Sequence, residues 1–267
     1  MNVHVGKTPD KNHEQYMVPG LERGLNLLAL FNRAEPELSL SEIARRLEVP
    51  RSTAFRLTYT LDQMGFLKRS SGGFKLGARI LSLGFDYLAS QDLIEVAQPE
   101  LTALRDATGA SSHLGVLDGR EVIYVAQISS LRQLSSRVSV GSRFPAHAQS
   151  MGRLLLGALP AAELEALYAG VVLEKFTEDT PGDIAELKAR IAEDRARGYV
   201  VSRGNFERGI VAVAAPVMDG QGVVVAAVNI SGPATALDTG ALEGVFKDRV
   251  MAAAQAISRH LGYRFQE

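Results

Sequence analysis

The chain contains no cysteine at all. Disulfides, thiolate metal sites and cysteine nucleophiles are therefore excluded. It also lacks any long apolar run. Its longest runs, such as Val223 to Val228, fall far short of the ~20 residues a membrane-spanning helix needs. No G-x-S-x-G elbow, no glycine-rich phosphate loop and no H-E-x-x-H pair is present. The five histidines stand at 4, 13, 113, 147 and 260, too dispersed for metal-ligand spacing, so neither a metal nor another cofactor is expected. Residues 1–20 are polar and mixed in charge. They read as no signal peptide but as a disordered lead-in over 1–19, and the expected location is cytoplasmic.

What is present points to two domains. The 267 residues are 46% hydrophobic, enough for two cores. The net charge of −1 is unevenly split. Residues 1–80 hold 12 basic against 8 acidic side chains, whereas the remainder holds 17 against 22. Between Leu38 and Arg79 the ratio is 8 to 3, which suits a polyanion at one end of the protein.

The basic end carries a recognisable pattern. Leu21, Leu25 and Leu28, widened by Leu27 and Phe31, predict a helix over 21–33. Ser39-Leu40-Ser41-Glu42 offers a capping box for a short helix with Ile43, Ala44 and Leu47 inside. Pro50 is placed to open a third helix, in which Ala54, Leu57, Leu61 and Met64 point inward. Its opposite face is Ser52, Phe55, Arg56 and Tyr59, flanked by Arg51 and Thr53. Residues 65–69 and 74–76, around Ser70-Ser71-Gly72-Gly73, read as strand, turn and strand. Three helices and a hairpin make a winged helix-turn-helix. Its third helix can enter a major groove and its wing offers Lys68, Arg69 and Lys75 to phosphates. The competing reading is a small dimerisation module with a solvated basic face.

Residues 78–92 read as a linker helix. Behind it, 93–108 predicts a helix stopped by Gly109, and strands at 111–117 and 121–127 flank an Asp118-Gly119 turn. Further strands are expected at 134–140, 199–203, 210–218 and 223–230. Helices are expected at the end of 145–159 and over 160–168, 183–197 and 239–261. Strands grouped at both ends with helices between argue for an α+β domain with an antiparallel sheet. His113, His147 and Ser150 are the only ground for a hydrolase. His113 sits in a strand and looks structural, and His147 reads as a prop for a loop. A sensor acting through protein partners without DNA is the other alternative.

The run Leu38–Ala44, Val49–Leu57, Gly65–Leu67 and Phe74–Gly77 resembles the DNA-binding half of the IclR family of bacterial transcriptional regulators. The similarity continues through Ser112–Gly119, Val140–Ala148, Arg197–Tyr199, Ala214–Val217 and Ile230–Pro233, covering roughly 20–265. It implies a winged helix-turn-helix over 20–77 and a GAF-like effector-binding domain over 93–265. The DNA contacts would come from Ser41, Arg51, Ser52, Thr53, Phe55, Arg56, Tyr59, Lys68, Arg69 and Lys75. The effector pocket would be lined by Gln133, Ser136, Phe144, Ser150, Met151, Ser202, Ile210, Ala212, Asn229 and Ser231, with Arg137 or Arg143 adding a charge. The partners implied are double-stranded DNA with a near-palindromic operator, a small organic acid, a homodimer or dimer of dimers, and RNA polymerase. Two positions depart from the family pattern: Glu48 stands where glycine is common after the second helix, and Phe55 where histidine is common. Ser150–Leu156, with Arg153 where lysine is commoner, is similar to the branch answering to protocatechuate and hydroxybenzoate.

Overall fold

The computed structural model describes residues 16–32, 34–81, 92–131 and 138–265. The chain divides into two compact units, Met1–Ser90 and Gln91–Glu267. The first holds α1 (Pro19–Ala29), α2 (Leu40–Arg46), α3 (Arg51–Gln63) and an antiparallel hairpin of β1 (Leu67–Ser70) with β2 (Gly73–Leu76). Its small core includes Leu27, Phe31, Leu38, Ile43, Ala54, Leu67 and Phe74.

Several local expectations for this unit need correction. Helix α1 ends at Ala29 rather than 33, because the Asn32 side chain accepts from the amides of Ala34 and Glu35 and so turns the chain. Leu27 is buried, whereas Leu21 and Leu25 are 63% and 59% exposed. Pro50 caps α3 rather than opening it. Met64, expected inside, follows the last turn and is exposed. Thr58 is buried instead, donating to the Ala54 carbonyl at 3.0 Å. The capping box is half formed. Ser39 accepts from the Glu42 amide at 3.2 Å, but the Glu42 carboxylate turns to Arg45 and Arg46.

The second unit is built on a six-stranded antiparallel sheet. In chain order the elements are α4 (Asp92–Thr108), β3 (Ser111–Asp118), β4 (Glu121–Ile128), β5 (Arg143–Pro145), a 3-10 turn at Ala146–Ala148, α5 (Ser150–Gly157), α6 (Ala161–Tyr168), α7 (Ile184–Arg197), β6 (Val200–Arg203), β7 (Ile210–Met218), β8 (Val224–Pro233) and α8 (Lys247–His260). The strand order is β5-β4-β3-β8-β7-β6. Alternation assigns the two faces. On one face, Val211, Val213, Ala215 and Val217 of β7 and Ala226, Val228 and Ile230 of β8 form a core with two helices. Helix α4 contributes Leu93, Ala97, Leu101 and Leu104 to it, and α8 contributes Val250 and Ile257. The opposite face carries the smaller Ala214 and Ala227 under Met151, Leu155 and Leu187 of α5 and α7.

Helix α5 approaches this face closely because of one glycine. A Cβ on Gly152 would lie 2.1 Å from the Ala146 carbonyl oxygen, so only glycine lets the first turn of α5 rest on the 3-10 turn. Helix α7 is bounded as its sequence announces, with Asp183 accepting from the Glu186 amide and Gly198 left-handed at φ 75°. The closing helix is not continuous over 239–261. Gly244, inside the Leu242–Phe246 turn, departs from helical geometry at φ −109°, ψ −115°, and this kink divides the segment before α8. One edge strand of the sheet is β5, the other β6, whereas residues 138–140 of the strand expected at 134–140 are not extended into the sheet. Residues 132–137, and 82–91 of the expected linker helix, lie outside the described residues.

Glu48 is the one non-glycine with positive φ among the described residues, at 53°. It follows the Leu47 cap of α2, with its amide bonded to the Arg45 carbonyl and the Val49 amide to that of Ala44. This is a Schellman closure, whose left-handed position favours glycine. Glu48→Gly should therefore stabilise the unit by about 0.5–1 kcal/mol. Chemical denaturation of the two proteins checks this, and an unchanged or lowered midpoint would show that the turn is unstrained.

Candidate DNA-binding face and ligand cavity

In the first unit α3 presents Arg51, Ser52, Phe55, Arg56 and Tyr59 to solvent, with Thr53 half-buried, and Ser41 is exposed in the first turn of α2. Phe55 and Tyr59 stack one helical turn apart, with ring centroids at 6.2 Å. The structure sorts the basic residues of this unit. Arg45 and Arg46 pair with Glu42, and Arg46 also with Glu35. Arg69 pairs with Asp62 at 3.1 Å and Lys75 with Glu37 at 3.0 Å. Arg79 donates to the Met64 carbonyl and lies over the Phe66 ring. Among the described residues no ion pair is formed by Arg51, Arg56 or Lys68. Two of the three expected wing cations are thus partly neutralised. Lys68 faces Lys75 directly across the hairpin, where Glu37 offsets the repulsion by pairing with Lys75.

The second unit contains a cavity of about 480 Å³ on the small-residue side of the sheet. Phe144, Ser150, Ser202, Ile210, Ala212, Asn229 and Ser231 all line it. Asn229 and Ser231 come from the same face of β8, as their spacing requires, and Ala212 lies opposite Ser231 on β7. Ser150 opens α5. The Gln149 side chain makes no capping bond there, and the buried Ser150 hydroxyl has no hydrogen-bond partner among the described residues. The first amides of α5 have no carbonyl within the helix to bond, so this end offers donors and a positive dipole.

Other expected residues fall elsewhere. Met151 is fully buried and packs under the sheet near Gly115 rather than lining the cavity, because one step along α5 turns it away from Ser150. Arg143 is committed to Asp118 at 2.5 Å and Glu121 at 2.7 Å, held there by the β4–β5 register. The Ser202 hydroxyl donates to Asn205 Oδ1 at 2.7 Å. Gln133, Ser136 and Arg137 lie outside the described residues.

Sequence reading missed Tyr124, Gln149, Phe206 and Glu207 as lining residues. Tyr124, Phe144 and Phe206 form a chain of edge-to-face contacts with centroids 5.3 Å apart. Strand alternation was a usable signal for Tyr124, but nothing local marks Phe206 or Glu207, which sit in an irregular turn. Glu207 is exposed. His147 bonds the Glu174 carbonyl at 2.9 Å, tying down the segment before α5.

Beneath the cavity, His113 Nδ1 lies 2.9 Å from Asn229 Oδ1, so the ring donates and its Nε2 is left without a partner among the described residues. The Tyr124 ring packs edge-on at 5.3 Å. Burial pushes the His113 imidazole down to about 4, partly offset by the bond to Asn229, and burial raises the Tyr124 phenol. Both groups are neutral at physiological pH. A histidine whose pKa is lower folded than unfolded contributes fully above about 6.5 and loses that contribution as pH falls toward 4. The loss should amount to roughly 3 kcal/mol. Unfolding midpoints of wild type and His113→Asn between pH 7 and 4 check this. The variant should show the flatter dependence.

The comparisons with known proteins agree with this geometry. Residues 20–71 match the IclR helix-turn-helix domain, and residues 85–259 match the C-terminal domain of bacterial IclR transcriptional regulators. The HTH-type transcriptional regulator XynR of Escherichia coli is 32% identical over 92% of this chain and 98% of its own. An IclR transcriptional regulator from Alicyclobacillus acidocaldarius superposes with a TM-score of 0.80 at 26% identity, covering 92% of this chain and all of its own. An IclR homologue from Microbacterium hydrocarbonoxydans, solved with 4-hydroxybenzoate, gives 0.79 at 27% identity over 91% and 98%. These relatives are regulators rather than enzymes, which removes the ground for a hydrolase. The chain belongs to the IclR family of DNA-binding bacterial transcriptional regulators.

Proposed function

We propose that this regulator reads a near-palindromic operator through α3 and the wing, and that a small carboxylate in the 480 Å³ cavity sets its affinity for DNA. The observation that carries the ligand reading is the buried Ser150 hydroxyl, without a hydrogen-bond partner among the described residues, at the uncapped start of α5 beside an aromatic wall. A carboxylate there accepts from that hydroxyl and from free amides. Its hydrocarbon part lies against Phe144, Phe206 and Ile210. Asn229, whose Oδ1 is held by His113, keeps its NH₂ group for a ligand or for Tyr124. Glu207 is the one carboxylate among the described lining residues, and it stands in solvent where water screens its charge. The 4-hydroxybenzoate bound by the Microbacterium homologue makes an aromatic acid the first class to test.

On DNA, Arg56 and Arg51 are free to reach bases or phosphates, and Phe55 offers an apolar edge to a thymine methyl. The exposed Leu21 and Leu25 of α1 fit a second copy of the same helix, giving a dimer with half-sites about one helical turn apart. Arg56→Ala should cost about 1–3 kcal/mol of operator binding. Lys68→Ala should weaken every sequence alike and lower the salt slope by about one. A changed sequence preference in Lys68→Ala would reverse these two roles.

Calorimetry with benzoate and 4-hydroxybenzoate tests the cavity. Ser150→Ala and Ser231→Ala should each reduce binding roughly 10- to 150-fold, as loss of a hydrogen bond to a charged group does, while operator affinity without ligand stays at the wild-type value. Unchanged acid binding in both variants would place the ligand elsewhere.

A further inference from the structure

The same helix that offers Ser150 to one cavity lines another with its later residues. This second cavity, of about 420 Å³, lies between Arg153 and Leu154 of α5, Ile191 and Asp194 of α7, and the β7–β8 turn at Met218 and Val224. It shares no lining residue with the first. Its volume is within the range of small-molecule sites.

The chemistry of its buried cation is unusual. Arg153 is only 4% exposed, and Asp194, also buried, accepts from its Nε at 2.6 Å. Arg153 Nη1 has no hydrogen-bond partner among the described residues. A guanidinium presents five donors in a planar fork and is normally met by two carboxylate oxygens or by several acceptors. Leaving a buried donor of a charged group unmet is costly. Asp194 balances the charge of Arg153, and Arg195, exposed at the same cavity, adds a further positive charge. The facing walls, Leu154, Ile191, Met218 and Val224, bury hydrocarbon but offer no polar side chain.

We infer that this cavity is a second small-molecule site, taking an organic monoanion with a short apolar chain whose acid group meets Arg153 and Arg195. The anion supplies acceptors that Asp194 does not, while the chain lies against Ile191 and Met218. The inference does not depend on what occupies the first cavity.

Hexanoate is the probe, and methyl-labelled methionine gives a local signal. The Met218 methyl should shift on titration in the full-length protein. The shift should persist in Ser231→Ala, whose substitution touches only the first cavity. Ala158→Trp fills the mouth of the second cavity from an exposed position and leaves the ion pair alone, and it should weaken the Met218 response at least tenfold. Replacing the pair with Arg153→Met and Asp194→Leu keeps an apolar core and should abolish the response without lowering the melting temperature. A Met218 methyl that stays still in wild type, or that responds as well in Ala158→Trp, overturns the assignment. A response that survives loss of the Arg153–Asp194 pair would show an apolar pocket without acid recognition and would equally overturn it.

Discussion

The register of β3 against β8 sets His113 directly opposite Asn229, and the second unit depends on that pairing. Side chains alternate strictly along a strand, so a one-residue slip would turn His113, Asn229 and Ser231 toward α4 and α8. Polar groups would then displace Leu114, Val228 and Ile230 from an aliphatic core, at the cost of desolvating them. In the register observed, the polar trio sits on the side where the sheet is lined with alanine and glycine. Small residues there leave room for a cavity, and the cavity gives the polar groups something to face. The same economy of volume lets Gly152 bring the start of α5 onto the turn at Ala146, which fixes where Ser150 stands. Floor, donor and entrance are thus consequences of one strand pairing and one close approach.

Much of this frame was legible in the sequence, and the reasons differ by element. The Asp118-Gly119 turn forces a hairpin, and α7 carries both its cap and its stop. The lining residues Asn229, Ser231 and Ser150 followed from family resemblance supported by strand parity. What escaped detection was set by tertiary contacts. Strand β5 is three residues long, too short for a period to show, and exists because Arg143 and its neighbours pair with β4. Met151 and Ser150 are adjacent in sequence, and only the docking angle of α5 decides which one meets the cavity. Phe206 reaches the site from an irregular turn through its contacts with Phe144 and Phe176. No local pattern encodes such a placement.

Charge tells a similar story in the first unit. The basic excess between Leu38 and Arg79 is visible in the composition, but composition cannot say which cations are committed. The fold commits most of them. Glu35 and Glu42 hold Arg45 and Arg46, with the Arg45 and Arg46 bonds drawing the Glu42 carboxyl down to about 2. Glu37 is likewise lowered by the Ser70 hydroxyl and Lys75, and it ties the segment before α2 to the wing through the Gly72 amide at 2.7 Å. These exposed pairs contribute little stability individually. Their effect on recognition is larger, because each one removes a cation from the pool available to phosphates. The residues left over among those described are Arg51 and Arg56 on α3 and Lys68 on the wing. On the wing, Glu37 holds Lys75 and Asp62 holds Arg69, whereas Lys68 has no ion pair among the described residues. The internal carboxylates therefore decide where the unit's positive charge is left exposed. They lower the positive charge the unit presents and leave its cations without ion pairs, among the described residues, on α3 and at Lys68.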